Sequence, residues 1–108
     1  MFIISFSPQR SDQAVTVEKT YDDRLRINGE LFNFNPLNDG DVIPAGVIPC
    51  NWIVGPVEKT DGAIQLTLIL PYGQSSTIVE TPKPITVSVD GVIDLPTIDH
   101  EELTNVDA

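Results

Sequence analysis

Hydrophobic and polar residues alternate in short runs along this chain, with no sustained helical period. The first run, Phe2–Ser7, is largely apolar, and within Ala14–Thr20 valines alternate with Thr16 and Glu18. Alternation with a period of two is typical of strands with one buried face. Nine prolines and seven glycines interrupt the chain every few residues, which leaves little room for helices of ordinary length. The pattern therefore predicts an all-β domain.

Asn28-Gly29 is the strongest hairpin signal in the chain, because a type I′ turn needs positive φ at both of its central residues. With these two residues at the turn, Leu25 lies opposite Phe32. The register predicts one buried face and places the neighbouring arginines on the solvent side. The residues of the predicted buried face are Leu25, Ile27, Phe32 and Phe34.

Asp61-Gly62 predicts a second hairpin, in which Ile53 lies opposite Leu70 and the leucines of the second strand share one face. Pro56 lies within the first strand of this hairpin. A proline cannot donate a hydrogen bond to a strand ladder, so this strand is predicted to be an edge strand or to be bulged at Pro56.

The remaining connections are predicted from turn residues. Residues 11–13 are predicted to form a hairpin loop between the first two strands. Residues 35–50, with three prolines and two glycines, are expected to cross between sheets or to run along a sheet edge. Thr77–Glu80 is a candidate short strand. Residues 85–95 are expected to form a last hairpin around Asp90-Gly91, although this register splits the apolar residues between two faces.

With 108 residues, the chain has the length of one domain with one modest core. We predict a small antiparallel β-sandwich or open barrel built from hairpins over residues 1–95. Residues 96–108 are predicted to be an extended acidic C-terminal tail, because residues 89–108 hold six acidic side chains and no Lys or Arg.

The net charge of −10 and the isoelectric point near 4.1 narrow the classes of partner. Binding to phosphate groups needs clustered Lys and Arg side chains, so neither nucleic acid nor an anionic membrane is an expected partner.

The residues that could carry chemistry are few and scattered. Cys50 is the only cysteine, with no basic neighbour in sequence, and is expected to be a half-buried structural residue. The only histidine, His100, lies among carboxylates; as a metal ligand or general base it would need a rigid setting that a terminal segment rarely provides. Asp39 and Asp41 resemble the start of a calcium loop, but Cys50 stands where that loop needs Glu, which favours a polar turn. No catalytic, metal or cofactor-binding residue is assigned, and no cofactor is expected.

Two aromatic residues are candidate partner-binding residues. Trp52 and Tyr72 fall near the open end of the second predicted hairpin, where the register sets them close together. Core packing is the default interpretation of such residues, while an exposed pair would anchor a partner or a sugar. Three acidic residues of the tail are also assigned as possible partner contacts: Asp99, Glu101 and Glu102.

Five segments resemble a family of small proteins encoded in tailed bacteriophages and prophages near tail-tip or tail-fibre genes. They are SPQR (Ser7–Arg10), INGELFNF (Ile27–Phe34), PLNDGD (Pro36–Asp41), WIVGPVEKTDG (Trp52–Gly62) and LTLILPYG (Leu66–Gly73). These are turn and strand motifs that carry no reaction. The resemblance implies a protein made in the host cytoplasm and located in the virion tail, with a tail-tip or tail-fibre protein as its partner.

Three functions of different classes follow from these expectations. The first is a non-enzymatic structural or accessory protein of the phage tail, which binds a larger tail protein, with further copies of itself as a second candidate partner. The second is an assembly chaperone that is absent from the mature virion. The third is a small carbohydrate-binding module that uses Trp52 and Tyr72. An enzyme is the least favoured class.

Deletion of residues 97–108 is expected to leave the midpoint of thermal unfolding unchanged, because an extended acidic segment contributes little to a hydrophobic core. Circular dichroism of the full chain and of the shortened chain measures both midpoints. A midpoint lowered by several degrees in the shortened chain would show that the segment packs on the domain.

Overall fold

The structure is a computed structural model that describes residues 1–11, 13–72 and 82–96, and this part of the chain forms two β-sheets without a helix. The first sheet has the strand order β5-β6-β7-β1-β8, and the second has the order β4-β3-β2-β9. The strands are β1 (Phe2–Arg10), β2 (Val17–Thr20), β3 (Arg24–Ile27), β4 (Glu30–Asn33), β5 (Val42–Ile43), β6 (Ile53–Thr60), β7 (Ala63–Tyr72), β8 (Ile85–Val87) and β9 (Gly91–Val92). The all-β prediction is confirmed.

The first sheet is organised around β1 and β7, which run parallel over nine residue pairs, from Phe2 opposite Ile64 to Arg10 opposite Tyr72. Alternate residues of Phe2–Phe6 and of Ile64–Leu70 face the core, as strand periodicity requires. The inward side chains are buried, namely Phe2, Ile4 and Phe6 on β1 and Ile64, Leu66, Leu68 and Leu70 on β7. This parallel pair departs from the predicted antiparallel architecture. Every other strand pairing in the described part is antiparallel, as predicted.

The hairpin at Asn28-Gly29 is confirmed in its turn, register and buried face. Both turn residues have positive φ, 49° for Asn28 and 86° for Gly29. Leu25 lies opposite Phe32, and both side chains are buried. The Asn28 side chain also accepts a hydrogen bond from the backbone N–H of Thr16 at 2.8 Å, which connects the turn to the segment before β2.

The hairpin at Asp61-Gly62 is confirmed at its turn, but the predicted register is wrong for the residues of β6 that precede Pro56. Gly55, Pro56 and Val57 lie opposite the single residue Leu66, which makes a bulge in β6 at the residue that cannot donate to the ladder. Ile53 therefore lies opposite Leu68 rather than Leu70. Because the shift is two residues, Ile53 still faces the core.

Two of the predicted hairpins are wrong, because each joins strands of different sheets. Residues 11–13 lie between β1 and β2, yet β1 pairs with β7 and β8 while β2 pairs with β3 and β9. Around Asp90-Gly91, β8 belongs to the first sheet and β9 to the second. This change of sheet explains why the apolar residues of 85–95 do not share one hairpin face.

Residues 35–50 also cross between sheets, as predicted. They lead from β4 at one edge of the second sheet to β5 at one edge of the first. Within them, β5 pairs only with Val57 and Glu58 of β6. The more N-terminal half of β6, which includes Pro56, therefore has no outer neighbour among the described residues.

Side chains of both sheets form one hydrophobic cluster. Phe2 of the first sheet meets Phe34, which follows β4, in an edge-to-face contact with ring centroids 6.0 Å apart and planes at 74°. Thirteen buried residues make up the cluster, so the two sheets share one core.

One buried cation of the described residues, Lys19, binds the segment in which the chain passes from β8 in the first sheet to β9 in the second. Lys19 of β2 points inward, and its ammonium group donates to the Asp90 carboxylate at 2.6 Å and to the Thr20 carbonyl at 3.1 Å. A buried ammonium group is costly unless it is paired and hydrogen-bonded. The ion pair therefore ties the segment between β8 and β9 to the second sheet.

The predicted strand at Thr77–Glu80 and the predicted tail from residue 97 onward lie outside the described residues.

Gly29→Val is expected to lower the free energy of unfolding by about 1–3 kcal/mol, because a β-branched residue is strained at φ 86°. Urea unfolding measures the change. Thr86→Val is the matched control, since Thr86 is an exposed strand residue with negative φ. An unchanged midpoint in Gly29→Val would contradict the type I′ turn.

Asp90→Ala is expected to lower the free energy of unfolding by about 1–3 kcal/mol, because it leaves the Lys19 ammonium without its carboxylate. The loss falls short of that for a fully buried pair because the Asp90 side chain is 56% exposed. The double variant Lys19→Met/Asp90→Ala should recover most of the loss. Glu18→Ala breaks the exposed pair with Arg26 and is expected to cost less than about 0.5 kcal/mol. Equal losses in Asp90→Ala and Glu18→Ala, measured by urea unfolding, would refute this role of Lys19.

Candidate functional site

Trp52 lies in the turn before β6, at the end of the first sheet where β1 and β7 also finish. Its backbone carbonyl accepts a hydrogen bond from Ile69 N–H at 2.8 Å. Its side chain is half-buried and packs against the hydrophobic cluster. The ring is therefore held in place by packing while part of it remains accessible.

The accessible part of Trp52 lines a cleft of about 270 Å³. The cleft is surrounded mainly by polar side chains from the end of β1, the segment that follows it, and the turn before β6. They are Gln9, Arg10, Ser11, Gln13 and Asn51. Ser11 N–H donates to the Tyr72 carbonyl at 3.1 Å, which anchors one wall of the cleft to β7.

Arg10, Gln13 and Asn51 retain free hydrogen-bonding groups around this cleft. Within the described ranges, none of their side chains makes a hydrogen bond or an ion pair. A guanidinium group is a donor only, whereas the two amides both donate and accept. Together with the indole, they form a concave surface with an aromatic platform and convergent polar groups.

Tyr72 does not lie where the predicted register sets it. With Ile53 opposite Leu70, Trp52 would be next to Tyr72; the bulge at Pro56 instead sets Trp52 level with Ile69. Tyr72 pairs with Arg10 at the end of the parallel ladder and is half-buried. The one aromatic contact in the described part is that of Phe2 with Phe34, so the structure does not stack Trp52 on Tyr72.

The other candidate residues have structural partners or are not described. Cys50 is half-buried, carries a free thiol and packs against the core, as predicted. The Asp39 carboxylate accepts from Gly62 N–H at 2.9 Å, and that of Asp41 accepts from Asn38 N–H at 2.8 Å, as in a polar turn. No three His, Cys, Asp or Glu side chains of the described ranges are grouped to hold a metal ion. Asp99, His100, Glu101 and Glu102 lie outside these ranges.

The second candidate surface is the open edge of β4, the longest edge strand of the two sheets in the described part. Phe34 N–H donates to the Asp23 carbonyl at 2.8 Å. Hydrogen bonding alternates along an antiparallel pair, so the backbone groups of Leu31 and Asn33 point away from β3. The edge thus presents two N–H and two carbonyl groups that a further strand can pair with.

The solvent side of this edge is partly apolar. The Leu31 side chain is 49% exposed and lies opposite Arg26, on the outer face of the sheet. On the same face, Arg24 lies opposite Asn33 and stacks over the exposed Tyr21 ring at 4.3 Å. Tyr and Arg are enriched at protein interfaces, and a strand with an open edge can receive a strand of a partner.

The sequence predicts these two surfaces unequally. Leu31 is visible in the Asn28-Gly29 register as an apolar residue on the arginine side of the hairpin. Arg10, Gln13 and Asn51 carry no local signal, because only the pairing of β1 with β7 brings them beside Trp52.

No protein-family model, curated protein or solved structure matches this chain. In the described part of the chain, no helix has the length and apolar character that crossing a membrane requires.

Proposed function

We propose that this chain is a non-enzymatic structural or accessory protein of a bacteriophage tail, which binds a larger tail-tip or tail-fibre protein. The tail context follows from the resemblance of the turn and strand motifs. The observation that carries the binding role is the open β4 edge with its exposed Leu31. The two sheets, which share one core cluster, are inferred to pack as a β-sandwich that presents this edge.

Docking occurs by strand addition. A strand of the tail protein lies beside β4 and pairs with the outward N–H and carbonyl groups of Leu31 and Asn33. Its apolar side chains cover Leu31, and the stacked Tyr21 and Arg24 extend the contact across the outer face. The backbone bonds supply affinity, and the apolar contact selects the partner.

Several features protect the other three edge strands, β5, β8 and β9, from this kind of pairing. β5 has two residues and is followed directly by Pro44, and β8 has three residues and is preceded directly by Pro84. β9 has two residues and follows Asp90. Short strands, prolines and charges are the usual means of blocking an edge. The four residues of β4 have neither a proline nor a lysine among them.

Leu31→Lys is expected to abolish capture of the tail protein, because the charge replaces the apolar contact and is costly to bury under the apolar side chains of the partner. The tagged chain is used in pull-downs from a phage-producing lysate, and purified particles are analysed by mass spectrometry. Val47→Lys is the matched control: it makes the same change at a 63% exposed loop residue and should retain capture.

The outcomes separate the possible roles. The chain in purified particles, with capture of a tail protein that Leu31→Lys alone abolishes, supports the proposal. Capture from the lysate with no chain in the particles would make it an assembly chaperone. Capture of host proteins alone, or capture only of further copies of this chain, would overturn the proposed partner.

A further inference from the structure

The Trp52 cleft has the chemistry of a small-ligand site that the tail-docking surface does not use. Its volume of about 270 Å³ lies just below the roughly 300–1,000 Å³ of sites for drug-sized ligands, so it fits one small ring. It is concave, and its aromatic platform is fixed by packing against the core. An aromatic platform that is already held in place loses little conformational freedom on binding.

We propose that this cleft binds one saccharide residue. The apolar C–H face of the sugar ring lies against the Trp52 indole, which offers a rigid apolar surface. Asn51 and Gln13 match the hydroxyl groups, because amides donate and accept as hydroxyls do. Arg10 donates to a hydroxyl oxygen or to the carboxylate of an acidic sugar.

Three observations favour a sugar over a protein side chain as the occupant. The polar groups around Trp52 are predominantly neutral amides and a hydroxyl, which suit a ligand that carries many hydroxyl groups. These polar groups surround one ring-sized cleft. A protein hot spot, by contrast, is typically surrounded by contacts that exclude water. The polar side chains also come from two separate parts of the chain, residues 9–11 and 13 on one side and Asn51 on the other, so two parts of the chain contribute to the cleft.

Trp52 is the only tryptophan of the chain, so its fluorescence reports directly on occupation of the cleft. The purified full chain is titrated with glucose, galactose, N-acetylglucosamine, glucuronate and galacturonate. At least one probe should give a saturable change, with a dissociation constant on the order of 1–10 mM. A stronger response to uronates assigns Arg10 to a carboxylate, and a stronger response to neutral sugars assigns it to a hydroxyl. Either pattern supports the proposal.

Arg10→Ala is expected to weaken binding about tenfold, the usual effect of losing one hydrogen bond from a charged donor. Lys83→Ala removes the same charge from an exposed residue outside the cleft and should leave the titration unchanged. Asn51→Ala should weaken binding while keeping the Trp52 reporter. Trp52→Phe, measured by calorimetry after its fold is checked by circular dichroism, should reduce affinity as well.

Three results would overturn the saccharide site. One is the absence of a saturable change with any probe up to about 100 mM. Another is binding that Arg10→Ala and Asn51→Ala leave unaltered, which would place the sugar elsewhere. The third is a Trp52 signal that responds to the captured tail protein and to no sugar. The titration uses the purified chain alone, so its failure leaves the β4 docking proposal standing, and failure of docking leaves this one standing.

Discussion

The parallel pairing of β1 with β7 is the interaction on which the rest of this structure depends. It joins residues that are 62 positions apart in sequence, such as Phe2 and Ile64, along nine consecutive pairs. Both strands bury their inward side chains, β8 attaches to the free side of β1, and β6 attaches to the free side of β7. A strand has only two edges: β7 lies along one edge of β1, and β8 pairs with Phe2–Ile4 on the other. β2 pairs instead with β3 and β9, in the second sheet.

The same pairing also creates the cleft at Trp52. β1 and β7 run in one direction and finish together, so the chain after Arg10 emerges at the end of the sheet where β6 begins. The bulge at Pro56 then displaces Trp52 by two residues along β7. A residue that interrupts hydrogen bonding thus decides where the aromatic ring lies, which is a usual effect of a bulge. Without this shift, Trp52 would lie beside Tyr72 rather than level with Ile69.

The two sheets are held by more than apolar packing. Lys19 forms an ion pair with Asp90 at the crossover between β8 and β9. This pair anchors a segment whose strands are very short. Two further ion pairs involve β3, namely Arg26 with Glu18 and Arg24 with Asp22. The described part of the chain therefore combines one shared core, an open edge at β4, the longest of the edge strands, and a polar cleft at Trp52. These features suit a part that binds, and they support the two binding proposals on different sheets.

The amino-acid sequence by itself determined the local structure of this protein. Asn28-Gly29 and Asp61-Gly62 specify their turns because few other residues tolerate positive φ at these positions, and the period-two pattern then assigns Leu25 and Phe32 to the core. Only the tertiary structure decided which strands meet. Nothing near Phe2 in sequence indicates that its neighbours are Ile64 and Val87, because pairing between distant strands depends on the burial of the whole core rather than on local preference. Leu31 was recognisable as an exposed residue because its position follows from a local hairpin. Arg10 became a neighbour of Trp52 only when the distant strands β1 and β7 paired.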